Sequence, residues 1–151
     1  MEVLVEKQLT NIEKQNKAVV LKWFEELEKG NLDAAFDLCA PDYRLHFPSS
    51  TSNPWTREQN QDFARLMYKA FPDIVHEIKD LWVVGNIVIV RAIDIATHTG
   101  EFQGIPATGN RIEISWIPIF HIEGGKIVEI WEEADMLGFM QQHGMELKPK
   151  E

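Results

Sequence analysis

Cysteine is almost absent from this chain. Cys39 is the only one in 151 residues. It cannot form an internal disulfide, so the fold must be held by packing, and one thiol cannot complete a zinc cage. Basic residues are also scarce. Lys and Arg number 15 against 24 Asp and Glu, a net charge of −9. Nucleic-acid phosphates and anionic membrane surfaces both demand a positive face, so no nucleic-acid and no membrane partner is expected. No apolar run reaches the length of a membrane span. The N-terminal sequence MEVLVEKQLTNIEKQNK lacks the apolar core and small-residue cleavage site of a secretion signal, which predicts a cytoplasmic location. Several catalytic signatures are missing too: there is no glycine-rich phosphate loop and no GxSxG elbow. The histidines at 46, 76, 98, 121 and 143 stand singly, without HExxH spacing. Neither a metal nor an organic cofactor is therefore expected.

What is present is ordinary for one globular domain spanning 1–151: 44% hydrophobic and 26% charged residues, with no repeat, linker or low-complexity tract. The first half has a helical period. Leu9, Ile12, Val19, Val20, Trp23, Phe24 and Leu27 form one stripe, with Gly30 placed for a left-handed C-cap. Asn31 is placed to cap a second short helix carrying Ala35, Phe36 and Leu38, which Pro41 ends. Residues 43–47 read as a short strand and 48–55 as a loop. Thr56 and Gln59 match a capping box that opens a third helix, with Phe63, Leu66, Met67 and Ala70 on its buried face. The second half changes period. Strands are predicted over 74–84, 87–98, 111–122 and 127–134, with hairpin turns at Gly85-Asn86 and Gly124-Gly125, a long loop over 99–110 and a closing helix over 136–143. Helices followed by a run of strands predict an α+β fold.

Alternation assigns the strand faces. Over 87–98, one face carries Val88, Val90, Ala92, Asp94, Ala96 and His98. Small residues beside ionisable ones suit a pocket wall. The other face, with Ile87, Ile89, Ile93 and Ile95, suits packing or a subunit interface. Ile117 and Ile119 on the next strand extend it, and so large an apolar patch predicts a homodimer. Pro118 within a strand suggests an edge or a bulge.

From residue 71 onward the chain resembles the SnoaL-like polyketide cyclases, within the nuclear transport factor 2-like superfamily. The resemblance is carried by Phe71-Pro72-Asp73, by THTGEFQGIPATG over 97–109, by IFHIEGGKIVE over 119–129, by Trp131-Glu132-Glu133-Ala134-Asp135, and by the tail from Leu137-Gly138 to Gln142-His143-Gly144. Trp23-Phe24 and Ala40-Pro41-Asp42-Tyr43 fit more loosely. The resemblance implies a cone: a strongly curved antiparallel sheet wrapped around helices, enclosing a deep apolar cavity. It implies dimers or larger assemblies, and ring closure by intramolecular aldol chemistry without metal or cofactor. It also implies an acid/base carboxylate at the position of Asp135. Asp94 stands where the family usually carries an apolar residue.

The candidate catalytic residues are therefore Asp135, Asp94 and His98. Asp135 is either the proton carrier or the N-cap of the closing helix. Asp94 is either a pocket carboxylate or one half of an ion pair to a distant Lys or Arg. His98 either faces the cavity or pins the loop that follows it. His46, Tyr43, Trp82, Trp116 and Trp131 are candidate substrate contacts, although aromatic residues also serve as plain core and His46 equally suits the surface. The acidic run of Glu129, Glu132 and Glu133 reads as a solvated strand face. The chemistry this predicts is cofactor-independent cyclisation, isomerisation or dehydration of a small hydrophobic carbonyl compound. The alternatives are a non-catalytic binder of hydrophobic small molecules and a pure dimerisation module.

Overall fold

The computed structural model describes residues 8–151. The secretion-signal reading begins on residues 1–7, which lie outside the described residues. The helix α1 (Asn11–Glu28) opens with a reciprocal capping box between Thr10 and Glu13. It ends where Gly30 takes a positive φ, with Gly30 N–H bonded to Leu27 O and Asn31 N–H to Glu26 O, a Schellman closure. The stripe turns at its start. Ile12 is half exposed, while Glu13 and Asn16 are buried. Both polar side chains meet the hairpin turn: Gly85 N–H donates to Glu13 and Asn16 donates to Gly85 O. A helix face that meets bare backbone has to be polar.

The short helix α2 (Leu32–Asp37) follows, and the strand β1 (Cys39–His46) starts earlier than expected. Pro41 lies inside β1 rather than ending the helix, in a stretch where the pairing register slips between Cys39 and Arg44. Asn31 takes the N-cap position of α2, but its side chain bonds Glu26 instead of the helix backbone. The two-residue strand β2 (Trp55–Thr56) leads into α3 (Arg57–Ala70), which has the expected Thr56–Gln59 capping box. Asn60 and Ala70 are buried on α3, whereas Leu66 points to solvent.

The strands β3 (Val75–Val84), β4 (Ile87–Thr97), β5 (Arg111–Glu123) and β6 (Lys126–Ala134) complete a six-stranded sheet, and the helix α4 (Met136–Gln142) closes the chain. The sheet order is β2-β1-β6-β5-β4-β3. It is a curved, mixed sheet rather than a wholly antiparallel one, because β1 runs parallel to β6. Pro118 sits in the central strand β5, not at an edge. The β4 pairing lapses opposite it, between Ile89↔Ile119 and Ala92↔Trp116, yet the in–out alternation continues through Phe120 and Ile122.

The helices α1–α3 pack on the concave face. There Val20, Trp23, Phe24, Leu27, Val88, Val90, Phe120 and Ile130 form the main core. Cys39 is buried beside them, and desolvation pushes its thiol up to about 12, which leaves it inert. The convex face carries Ile87, Ile89, Ile93, Ile95, Ile117 and Ile119, with Trp82 half exposed and Val84 exposed beside them. Among the described residues no helix is long and apolar enough to cross a membrane.

Candidate functional site

The concave face and the helices leave a cavity of about 430 Å³. Its wall is mostly aromatic and aliphatic: Trp23, Phe36, Trp55, Phe63, Met67, Phe71, Phe102, Ile112, Ile114 and Phe139 all reach it. Small residues make the room. Ala64, Ala96 and Ala134 line positions where larger side chains would fill the space. The polar groups on the wall are few. Among the described residues they are Asn60 and Tyr68 from α3, His76 from β3, Asp94 from β4, Gln103 from the 99–110 loop and Glu132 from β6. Among the described residues no Lys or Arg lines the cavity.

Asp94 is the hub of this polar end. Its Oδ1 accepts from the Trp116 indole N–H at 2.7 Å and lies 2.6 Å from His76 Nδ1. On its other side, the His76 ring meets the Tyr68 hydroxyl through Nε2 at 2.9 Å, and that hydroxyl donates to Leu27 O at 2.9 Å. Asp94 therefore has a close partner, but it is the His76 ring rather than a distant Lys or Arg. Low exposure and the nearby Asp94 charge hold the Tyr68 phenol well above its ordinary range.

Glu132 is the second cavity carboxylate. It has no hydrogen bond or ion pair among the described residues. Desolvation first, and the negative charge of Asp94 second, push it up to about 8. It is thus largely protonated at neutral pH, as an acid facing an apolar space. The reading of the acidic run as a solvated face fails at this position. With Ile130 in the core, a period of two turns Glu132 inward as well, and leaves Glu129, Trp131 and Glu133 on the other face.

Of the eight residues singled out in the sequence, the structure brings Asp94 and Trp116 to the cavity. Asp135 is exposed and is not part of the lining, although Ala134 and Met136 on either side of it are. Its Oδ1 accepts from Gly138 N–H at 2.8 Å, so it is the N-cap of α4. Gly138 makes this possible, because a Cβ there would run into the Asp135 carboxylate. His98 is fully buried beside the cavity wall, not on it. Its ring stacks on Phe71, 5.1 Å between centroids, and bonds Thr108 Oγ1, while its backbone pairs with Gly109 and Asn110. It therefore pins the 99–110 loop, and desolvation lowers its imidazole below the ordinary range. Tyr43 is entirely buried in the core and touches the site only by accepting from Asn60 Nδ2 at 2.8 Å. Trp82, His46 and Trp131 lie on the convex face. There the His46 ring stacks on Trp131 and its Nε2 lies 3.5 Å from Glu129.

This placement fixes what the Asp135 variants should do. Asn caps a helix about as well as Asp, so Asp135→Asn should change neither melting temperature nor any catalytic readout. Asp135→Ala should cost about 1 kcal/mol in chemical denaturation. A large activity loss in a stable Asp135→Asn protein would contradict the cap assignment.

The sequence missed His76, Glu132, Asn60 and Tyr68. His76 was hidden by strand register. A hairpin closing at Gly85-Asn86 pairs Val84 with Ile87, and counting outward without interruption would set His76 against Ile95. A bulge between Ile78 and Asp80 shifts the register by one, so His76 faces Asp94. Asn60 and Tyr68 stand on the inward face of α3, but polar types within an apolar stripe carry no signature of their own.

The model of one protein family, SnoaL-like polyketide cyclase, matches residues 18–143. Among solved structures the chain is similar to AclR, a candidate hydroxylase from Streptomyces galilaeus. The two share 26% identity and a TM-score of 0.80 over 87% of this chain and 97% of that one. It is also similar to IdmH, a candidate polyketide cyclase from Streptomyces antibioticus, at 26% identity and a TM-score of 0.74 over 87% and 99%. A candidate SnoaL-like polyketide cyclase from Jannaschia Sp. CCS1 has the same fold, with 24% identity and a TM-score of 0.80 over 93% and 99%. No curated protein matches the chain by sequence.

Proposed function

Since the chain belongs to the SnoaL-like polyketide cyclase family, we propose that it catalyses proton transfer next to a carbonyl group in a small hydrophobic compound, as a cyclase, isomerase or dehydratase. One observation carries this reading. Two carboxylates face one apolar cavity, and their surroundings hold them differently. Asp94 is tied through Oδ1 to an indole N–H and an imidazole. Glu132 is unpaired among the described residues and shifted up to about 8. Carboxylates whose environments separate them take opposite roles. Asp94 is the base: its Oδ2 takes a proton from the carbon beside the carbonyl. Glu132, protonated, is the acid. It hydrogen-bonds the carbonyl oxygen and gives up its proton as negative charge develops there. The two transfers leave the site with the same number of protons, so this chemistry is complete without a cofactor. Asn60 Nδ2, with one hydrogen on Tyr43, has a second available for the same oxygen.

A wall to which no described Lys or Arg contributes favours an uncharged substrate over a carboxylate or phosphate. A non-catalytic binder would need only the apolar wall, and would have no use for a desolvated acid beside a hydrogen-bonded base. A pure dimerisation module would need no cavity at all. The reading can be tested before the natural substrate is identified. A panel of uncharged cyclic and aromatic ketones is incubated with the protein in D₂O, and hydrogen–deuterium exchange at the α-carbon is followed by NMR. Catalysed exchange that Glu132→Gln and Asp94→Asn both suppress supports the assignment. Tight binding of several ketones with no catalysed exchange would support the binder instead.

We also propose a homodimer through the convex face. Isoleucines from β4 and β5 share that face with the exposed Trp82 and Val84, in a patch that a monomer would present to water. Ile93→Lys should give monomers or aggregates. A wild-type protein that sediments as a monomer at high concentration contradicts this.

A further inference from the structure

The proton inventory of the polar end can be worked out from its hydrogen bonds. Tyr68 has one hydroxyl proton, and Leu27 O, a carbonyl in the last turn of α1 that can only accept, lies 2.9 Å from the hydroxyl oxygen, which assigns the proton to that contact. The Tyr68 oxygen can then only accept from His76, so Nε2 of His76 must carry a hydrogen. At the other ring nitrogen, Nδ1 lies 2.6 Å from Asp94 Oδ1, and one proton sits between them. Trp116 donates to that same oxygen at 2.7 Å. A carboxylate oxygen accepts two such donors readily, whereas the hydroxyl oxygen of a protonated acid accepts poorly. The proton therefore belongs on Nδ1.

We propose that His76 is the positioning residue of this site: Tyr68 holds it protonated on both ring nitrogens, and in that form it grips Asp94 by Oδ1 and leaves Oδ2 to the substrate. The proposal rests on the acid/base reading of the cavity. The surroundings of His76 fit a cation. Its side chain is only 6% exposed. Besides Asp94, it faces the carbonyl-rich C-terminal end of α1, whose dipole favours positive charge. The Glu28 carboxylate accepts from the His76 backbone N–H at 2.6 Å. The remaining neighbours, Phe24 and Trp116, meet its ring without charge, tilted or edge-on. Among the described residues no Lys or Arg on the cavity wall competes for Asp94. The chain from Trp116 to Leu27 ends on a backbone carbonyl, so it fixes geometry and carries no proton to bulk water.

The experiment is histidine-selective ¹⁵N labelling with long-range ¹H–¹⁵N spectra between pH 6 and 8, on the wild type and on Tyr68→Phe. Alongside it, the Glu132 carboxyl is titrated by ¹³C NMR. The wild type should show both ring nitrogens of His76 protonated across this range. In Tyr68→Phe, Nε2 loses its acceptor and should become bare, with the amide spectrum otherwise preserved. The Asp94 charge, no longer countered by a charged ring, should raise the Glu132 midpoint further. A bare ring nitrogen on wild-type His76 overturns the proposal without recourse to any variant. So does a folded Tyr68→Phe protein in which neither His76 nor Glu132 changes. The two readings fail separately. A doubly protonated His76 in a protein that exchanges no α-hydrogens upholds the arrangement and removes the acid/base role. Catalysed exchange with a singly protonated His76 does the opposite.

Discussion

Glu132→Gln should make the protein inactive and, at alkaline pH, more stable. Both effects come from one carboxyl group. Gln keeps the shape and can still donate a hydrogen bond, but it has no proton to transfer, so catalysed α-exchange should fall by ~10²–10⁴. In the wild type, the rate should also fall as pH rises through about 8, where Glu132 loses its proton. Stability follows from the direction of the same shift. The folded-state value is raised from 4.5 to about 8. Between those two values the folded chain binds more protons than the unfolded one, so stability declines as pH rises across the window. Gln does not titrate and removes that slope. The two proteins should denature alike near pH 4. By pH 9 the variant should be more stable by about 2–4 kcal/mol, less than the full shift implies because the cavity is open to water. Urea denaturation of both proteins at four pH values reads this directly. Equal stabilities at pH 9 would mean that Glu132 is solvated and is not the buried acid.

The fold was legible because its signals are local and redundant. The capping box at Thr56 and Gln59, the Gly30 stop, the Gly85-Asn86 turn and the β-branched run over 87–97 each name their element independently. The family resemblance then supplied the arrangement of the elements. The site was less legible because it depends on register. Asp94 was visible as an ionisable residue on an otherwise apolar face. Its partner was hidden by the bulge between Ile78 and Asp80, which no residue pattern announces. Glu132 was visible in principle, since it lies two residues from the buried Ile130. Its flanking acids Glu129 and Glu133 concealed that, because a run of like charges suggests solvent. Asp135 misled for the opposite reason. The resemblance offered it a catalytic role, but the strand ends at Ala134, so its alternation no longer applies. The first turn of α4 takes the carboxylate as a cap.

Asp94→Asn should match the activity loss of Glu132→Gln and show the opposite stability effect. The amide has no basic oxygen, so α-exchange should fall by ~10²–10⁴. His76 then loses its counter-charge in a nearly closed space, where an uncompensated polar group costs about 1–3 kcal/mol. The variant should therefore be destabilised at neutral pH, where Glu132→Gln is at least as stable as the wild type. Glu132 reports the change independently. The Asp94 charge contributes to its upward shift, so its midpoint should fall from about 8 while remaining above 4.5, because desolvation, the larger cause, is untouched. These measurements separate a working pair from two unrelated carboxylates. If Asp94→Asn retains full exchange activity, the base lies elsewhere and Asp94 is a structural partner of His76. If activity is lost while the Glu132 midpoint stays fixed, the two carboxylates do not share one electrostatic environment, and the division into base and acid fails even though each residue matters.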